Sequence, residues 1–206
     1  MLSSTQKKML WGSVGVLVLI LAGWQAYAYV ISAPLRAEKV YLQGMSNMTP
    51  GRYEEAVRLF SKAVDIFPQL ATAYLERGNA ENILGETAGA LADYDKAIEM
   101  GSLSAAYTAR GRIYLSRGDT KRAEADFTQS VGVEPNSDAY FQLGQLLEAA
   151  GDHEHAILNF DQAIRIQPDA PFIYRARGMA KRAKGDEAGA AADRDQASAL
   201  ETRGNR

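Results

Sequence analysis

Hydrophobic and polar residues divide the chain into two unequal stretches. From Leu10 to Ile31 it reads LWGSVGVLVLILAGWQAYAYVI, 22 positions without a charge. Beyond that run, small, apolar and charged residues return in a fixed register. As a helix rising about 1.5 Å per residue, the first stretch spans roughly 30 Å, the thickness of a bilayer core. Trp11 stands at one end and Trp24, Tyr27 and Tyr29 at the other, where amphipathic rings prefer the headgroup zone. The pattern predicts a transmembrane helix over 10–31, after a tail of 1–9 and before a linker of 32–36. Lys7, Lys8 and the α-amino group precede the span; Arg36, Lys39 and Glu38 follow it, so only the amino group tips the N-terminus inward. A short tail and a large following domain suit a signal-anchor. The expected placement is a single-pass membrane protein, in a bacterium an inner-membrane protein with its C-terminal part periplasmic. Two alternatives stay open. Ala26-Tyr27-Ala28 offers a signal-peptide cleavage site, although the run exceeds the roughly 7 to 15 residues usual for a signal core. The other is a cytoplasmic domain.

The second stretch is periodic. Gly44, Gly78, Gly111, Gly144 and Gly178 stand 34, 33, 33 and 34 residues apart. Twelve residues after each comes Ala56, Ala90, Ala123, Ala156 or Ala190; four further on come Phe60, Tyr94, Phe127 and Phe160, then Arg194. Ala63, Ala97, Ser130, Ala163 and Ala197 follow at three more, and Pro68, Pro135 and Pro168 close three units. Each mark has a physical use. Glycine facing alanine lets two antiparallel helices approach, and the aromatic fills the wedge between them. Proline cannot continue a helix and ends the unit. Between the marks, Gly85-Glu86, Gly118-Asp119, Gly151-Asp152 and Gly185-Asp186 read as a C-terminal glycine followed by an acid at the next helix start. Thr49-Pro50-Gly51 takes that place in the first unit.

This register resembles the tetratricopeptide repeat family, whose 34-residue unit carries Gly, Ala, Phe and Pro in that order. The resemblance covers about 37–204, as units 37–70, 71–103, 104–136, 137–170 and a degenerate, capping 171–204. Val40, Tyr74, Tyr107, Tyr140 and Tyr174 stand where the family has its leading Trp. The resemblance implies an all-α fold: a right-handed superhelix, or α-solenoid, of five helix-turn-helix units, here preceded by one transmembrane helix. It also implies a non-enzymatic scaffold whose first helices line a concave, protein-binding groove.

Helical periodicity nominates the residues of that groove: Tyr41, Met45 and Met48; Leu75, Asn79 and Asn82; Thr108, Arg112 and Leu115; Phe141, Gln145 and Glu148; and Phe172, Arg175, Met179 and Arg182. Aromatic, amide and methionine side chains of this kind suit an extended peptide or an amphipathic helix. Family members that grip a C-terminal carboxylate use Lys and Asn at places held here by Tyr41, Met45, Leu75 and Thr108, so that clamp is missing.

A second regularity crosses the hairpins. Arg77, Arg110 and Arg177 precede a glycine, and Asp93, Asp126 and Asp193 follow 16 residues later, whereas Leu143 and Asn159 replace both in the fourth unit. This predicts an Arg–Asp bridge within three hairpins. In the last unit Arg194 takes the aromatic slot, and helix 187–201 reads as a solubilising cap. Arg177, Lys181 and Lys184 share one helical face, either a dock for acidic partners or lipid headgroups or a solvated terminal face.

Charge and composition narrow the classes. Residues 37–170 hold 12 Lys and Arg against 20 Asp and Glu, so nucleic acid is not an expected partner. The chain has no cysteine, which removes thiol catalysis and Cys-type metal sites. His153 and His155, two apart on a helix, cannot chelate one metal from one face. With none of the glycine-loop or nucleophile motifs present, no catalytic residue, metal or cofactor is expected. The reading is a membrane-tethered adaptor that contacts the bilayer through 10–31 and binds protein or peptide partners in assembling or organising a membrane or envelope complex. Self-association into a homo-oligomer, or a secreted repeat protein after signal cleavage, is the alternative.

Overall fold

The computed structural model describes residues 29–101 and 103–204. Among these residues ten helices follow one another: α1 Ala33–Met45, α2 Tyr53–Ile66, α3 Ala71–Ile83, α4 Thr87–Gly101, α5 Ser104–Ser116, α6 Thr120–Val133, α7 Ser137–Ala149, α8 His153–Ile166, α9 Pro171–Ala183 and α10 Glu187–Gly204. No strand occurs among them. Helices pair in order as five hairpins, and the second helix of each packs on the first helix of the next. First helices of successive hairpins also touch, α3 with α5 and α7 with α9, so they define one face of an α-solenoid.

The turns explain why the helices stop. Gly51, Gly85, Gly118, Gly151 and Gly185 all have φ between 77° and 85°. There a Cβ would cost roughly 1–2 kcal/mol of strain. Past each of the last four glycines, the next backbone N–H reaches back across the turn: Glu86 to Glu81 O, Asp119 to Tyr114 O, Asp152 to Leu147 O and Asp186 to Lys181 O, at 2.8–2.9 Å. This bond satisfies a helix-end carbonyl that would otherwise be orphaned. The acid after the glycine then starts the next helix. Asp119, Asp152 and Asp186 accept from the backbone N–H of Arg122, His155 and Gly189 at 3.1, 3.2 and 2.8 Å. At the other end, α2, α6 and α8 stop two residues before Pro68, Pro135 and Pro168.

Inside the hairpins, Ala56, Ala90, Ala123, Ala156 and Ala190 are buried, and Phe60, Tyr94, Phe127 and Phe160 are sealed from solvent. Each ring lies directly on the facing glycine. A Cβ added at Gly44 or Gly144 would fall 2.5 Å from Phe60 or Phe160, and at Gly78 or Gly111, 2.8 Å from Tyr94 or Phe127. Only a glycine admits the ring at this depth. Burying such a ring contributes roughly 1.5–3 kcal/mol.

The expected Arg–Asp bridges form in all three hairpins. Arg77 meets Asp93 at 2.6 Å, Arg110 meets Asp126 at 2.7 Å and Arg177 meets Asp193 at 2.6 Å, each through two parallel N–H donors. The remaining Nη1 reaches back to the preceding hairpin, to Ser61, Asp95 and Asp161 respectively. One guanidinium therefore ties its own hairpin shut and pins it to its neighbour. Tyr74, Tyr107 and Tyr174, at the leading position, put their rings 5.4–5.7 Å from these guanidiniums, within cation–π range.

The placement expected from the apolar run is corrected. Of the predicted span, 10–28 lies outside the described residues; Tyr29, Val30 and Ile31 are described, helical and exposed. No helix among the described residues is long and apolar enough to cross a membrane. That finding conflicts with a single-pass membrane protein and with its inner-membrane, periplasmic orientation.

Candidate functional site

On the face formed by the first helices, the nominated residues separate by register. The row one position after each glycine is open: Met45, Arg112, Gln145 and Met179 are exposed, and Asn79 is half-buried. The row four positions after the glycine is mixed, with Asn82 and Arg182 exposed and Met48, Leu115 and Glu148 half-buried.

The row three positions before the glycine is largely structural, which corrects two nominations. Leu75 is buried in the core shared by α3, α4 and α5. Thr108 is buried because its hydroxyl lies 2.7 Å from that of Ser130. Ser130 in turn donates to Ser104 O at 2.8 Å and accepts from Asn136, making a polar seam between the third and fourth hairpins. Neither residue can meet a ligand.

Two aromatics of the same row are half-buried. Tyr41 packs on Phe60 at 5.7 Å, and burial, followed by Glu76 and Glu38, raises its phenol pKa. Phe141 wedges between Phe160 at 5.8 Å and Phe172 at 5.0 Å, edge to face with the latter. Only Arg175 of this row is exposed, pairing with Glu201 of α10.

Several nominated polar groups already have partners. Asn79 accepts from the Tyr94 hydroxyl at 3.0 Å and donates to Glu76 at 3.1 Å. Burial is the main reason the Tyr94 phenol pKa is raised, with nearby carboxylates adding to it, so it remains a neutral donor. Arg112 reaches Asp138 of the next hairpin at 3.4 Å, and Glu148 meets His153 at 2.8 Å. His155 instead meets Asp152 at 2.8 Å, so the two histidines serve different carboxylates. No group of three or more metal-ligating side chains occurs among the described residues.

The structure gathers Gln145, Glu148 and Met179 around one opening of about 250 Å³, floored by Phe160 and Ala176, between α7 and α9. A second opening, of about 170 Å³, lies between α9 and α10 beside Arg175, Met179 and Arg182. The basic face read as Arg177, Lys181 and Lys184 is occupied from within. Arg177 and Lys181 both bind Asp193, Lys181 at 3.0 Å, and Lys184 reaches Glu154 at 3.4 Å. Sequence reasoning did not find the neighbour contacts of Ser61, Asp95 and Asp161. Their offsets from the arginine are 16, 15 and 16 residues, across a repeat boundary of variable length. The buried role of Thr108 did leave a trace, because Ser130 replaces an alanine in the same repeat.

Comparison with known proteins agrees with this architecture. A family model described as Tetratricopeptide repeat matches residues 28–105 and 108–171. Over 61 residues the chain is 36% identical to Tetratricopeptide repeat protein 36 of Danio rerio, covering 30% of this chain and 33% of that one. The protein of that name from Homo sapiens is 32% identical over 65 residues, 32% and 34% of the two chains. The match thus spans about a third of the length of these relatives. Among solved structures, a crystal structure of MamA superposes with a TM-score of 0.66 at 22% identity, over 79% of this chain and 96% of that one. YrrB, a TPR protein with an unusual peptide-binding site, gives 0.59 at 20% identity, over 78% and 84%. At these identities the structural likeness is one of fold.

Proposed function

Because the chain belongs to the tetratricopeptide repeat family, we propose that it is a non-enzymatic scaffold that binds protein or peptide partners along the face of its first helices. In this reading the five units run 37–70, 71–103, 104–136, 137–170 and 171–204. Asn82, Arg112, Gln145, Met179 and Arg182 make the contacts, and Tyr41 and Phe141 support the wall. The scaffold would hold components of a protein assembly together. The observation that carries the reading is the row one past the glycines. It stays exposed or half-buried in every hairpin, whereas the row three before the glycines is taken up largely by packing.

Its chemistry fits a peptide: amides for backbone groups, methionines for irregular apolar side chains and arginines for carboxylates. That YrrB has a peptide-binding site supports the reading by analogy.

The test is capture of partners by the purified chain after crosslinking, repeated with Asn82, Arg112, Gln145 and Met179 all changed to Ala. None of these four is buried, so the variant should fold, with an unchanged helical circular dichroism spectrum as the check. Affinity for the captured partner should fall by at least about tenfold, equivalent to about 1.4 kcal/mol. Undiminished binding by the quadruple variant refutes the assignment of the face.

A further inference from the structure

Four hairpins show what fits between this glycine and this alanine: an aromatic ring. In the fifth the platform is present and the ring is absent. Gly178 and Ala190 face each other as in the other repeats, yet the nearest atoms to a Cβ at Gly178 would be Asp193 Cβ at 3.2 Å and Ala190 O at 3.3 Å, with no ring among them. Arg194, which holds the aromatic position, points outward, 65% exposed and 3.8 Å from Asp195. The space left is the opening of about 170 Å³ lined by Arg175, Gly178, Met179, Arg182, Ala190 and Arg194. An apolar cavity of roughly 150 Å³ admits a benzene ring.

Three of the six lining residues are arginines, and they stand around an apolar floor. Their present partners, Glu201, Glu187 and Asp195, are exposed carboxylates, held at 3.9 Å for Arg182 and 3.8 Å for Arg194. Such surface pairs are weak and exchange readily for a better-placed anion. Met179, 61% exposed, stands beside the opening and also lines the neighbouring one on α7 and α9, so one side chain borders both. Thioether sulfur packs favourably against an aromatic edge.

We propose that this opening is a socket for an aromatic side chain supplied by a partner peptide, and that carboxylates flanking that side chain bind Arg175, Arg182 and Arg194. The partner's ring takes the place that Phe60, Tyr94, Phe127 and Phe160 take in their own hairpins. The proposal rests on the first-helix face being the binding face, and it fixes the chemistry of the ligand at the C-terminal end of that face: acidic, with one aromatic anchor.

The probe is a dye-labelled pentapeptide of one phenylalanine with two aspartates on either side, titrated against the full chain. A second peptide replaces the phenylalanine with alanine, and a third replaces the aspartates with asparagines. The first should bind about tenfold tighter than the second, the worth of burying most of a ring. It should also bind tighter than the third, and only the aspartate peptides should weaken with R182Q. R194F fills the socket from within; it should erase the preference for phenylalanine over alanine while its thermal midpoint is unchanged or raised, which shows that it is folded. Equal binding of the first two peptides, no saturable binding of either, or an undiminished preference in R194F overturns the proposal. So does a loss of self-association in R194F without any peptide preference, which would assign the socket to a second copy. If captured partners still bind R194F but not the quadruple groove variant, the socket fails and the broader reading stands.

Discussion

The fourth and fifth hairpins close by opposite means. In α7–α8, Leu143 and Asn159 stand where three other units carry Arg and Asp, and the pair is held by Phe160 seated on Gly144, with Phe141 against Phe160 and Phe172 against Phe141. In α9–α10 the ring is missing and the pair is held by a charge cluster: Asp193, almost wholly buried, takes Arg177 and Lys181, while Arg177 also reaches Asp161. The second and third hairpins have both devices. One backbone geometry is thus compatible with an apolar wedge or an ionic clamp. The two differ in what stresses them: the wedge responds to volume, and the clamp to pH and to loss of a charge.

The sharpest way to break the comparison is to remove each device. Phe160→Ala empties the wedge of a hairpin with no clamp behind it, and should cost about 3–5 kcal/mol, read as a lowered urea midpoint. Asp193→Ala leaves Arg177 and Lys181 facing each other. Because Arg177 keeps Asp161, the cost should fall near the lower end of the range for a broken buried pair, about 3 kcal/mol. The clamp also carries a pH signature that the wedge lacks. Burial pushes Asp193 up, but hydrogen bonds from Arg177 and Lys181 outweigh it and hold the carboxyl below the ordinary aspartate range. A depressed carboxyl contributes stability that is complete above the unfolded value of about 4 and lost as pH falls through the folded one. Wild-type stability should therefore drop below about pH 4 by more than that of Asp193→Asn, whereas Phe160→Ala should leave this acid difference intact.

Smaller changes sharpen the contrast. Gly144→Ala puts a Cβ 2.5 Å from the Phe160 ring and should cost about 1–3 kcal/mol. Gly178→Ala meets its nearest neighbours at 3.2 Å and should cost less, a difference measurable by parallel thermal melts. Asp152→Ala removes the cap of α8 together with the exposed Asp152–His155 pair and should cost about 1 kcal/mol, with the loss of amide protection confined to its first turn in hydrogen exchange.

Much of this was legible because it is periodic. The glycine–aromatic contact and the Arg–Asp bridge each recur at a constant offset inside one hairpin, where loop length hardly varies, so spacing alone located both. Contacts between hairpins resisted the same treatment. Whether Leu75 or Thr108 faces outward depends on how far the next helix closes over α3 or α5, which local periodicity does not encode. For the same reason Arg177, Lys181 and Lys184 look like one basic face in sequence, while two of them are drawn inward by a carboxylate on another helix. The first helices share one face, and two of the positions nominated on it, Leu75 and Thr108, are buried.

A Cβ at Gly51, Gly85, Gly118, Gly151 or Gly185 would meet nothing within 4 Å. These glycines sit at the hairpin tips, where the chain reverses in open space. Added residues there would lengthen a loop without entering the stack, at a cost that grows only slowly with length. The tips thus form an evenly graduated row of attachment points, 33 to 34 residues apart in sequence. Reporters or tethers placed along it would report on individual hairpins.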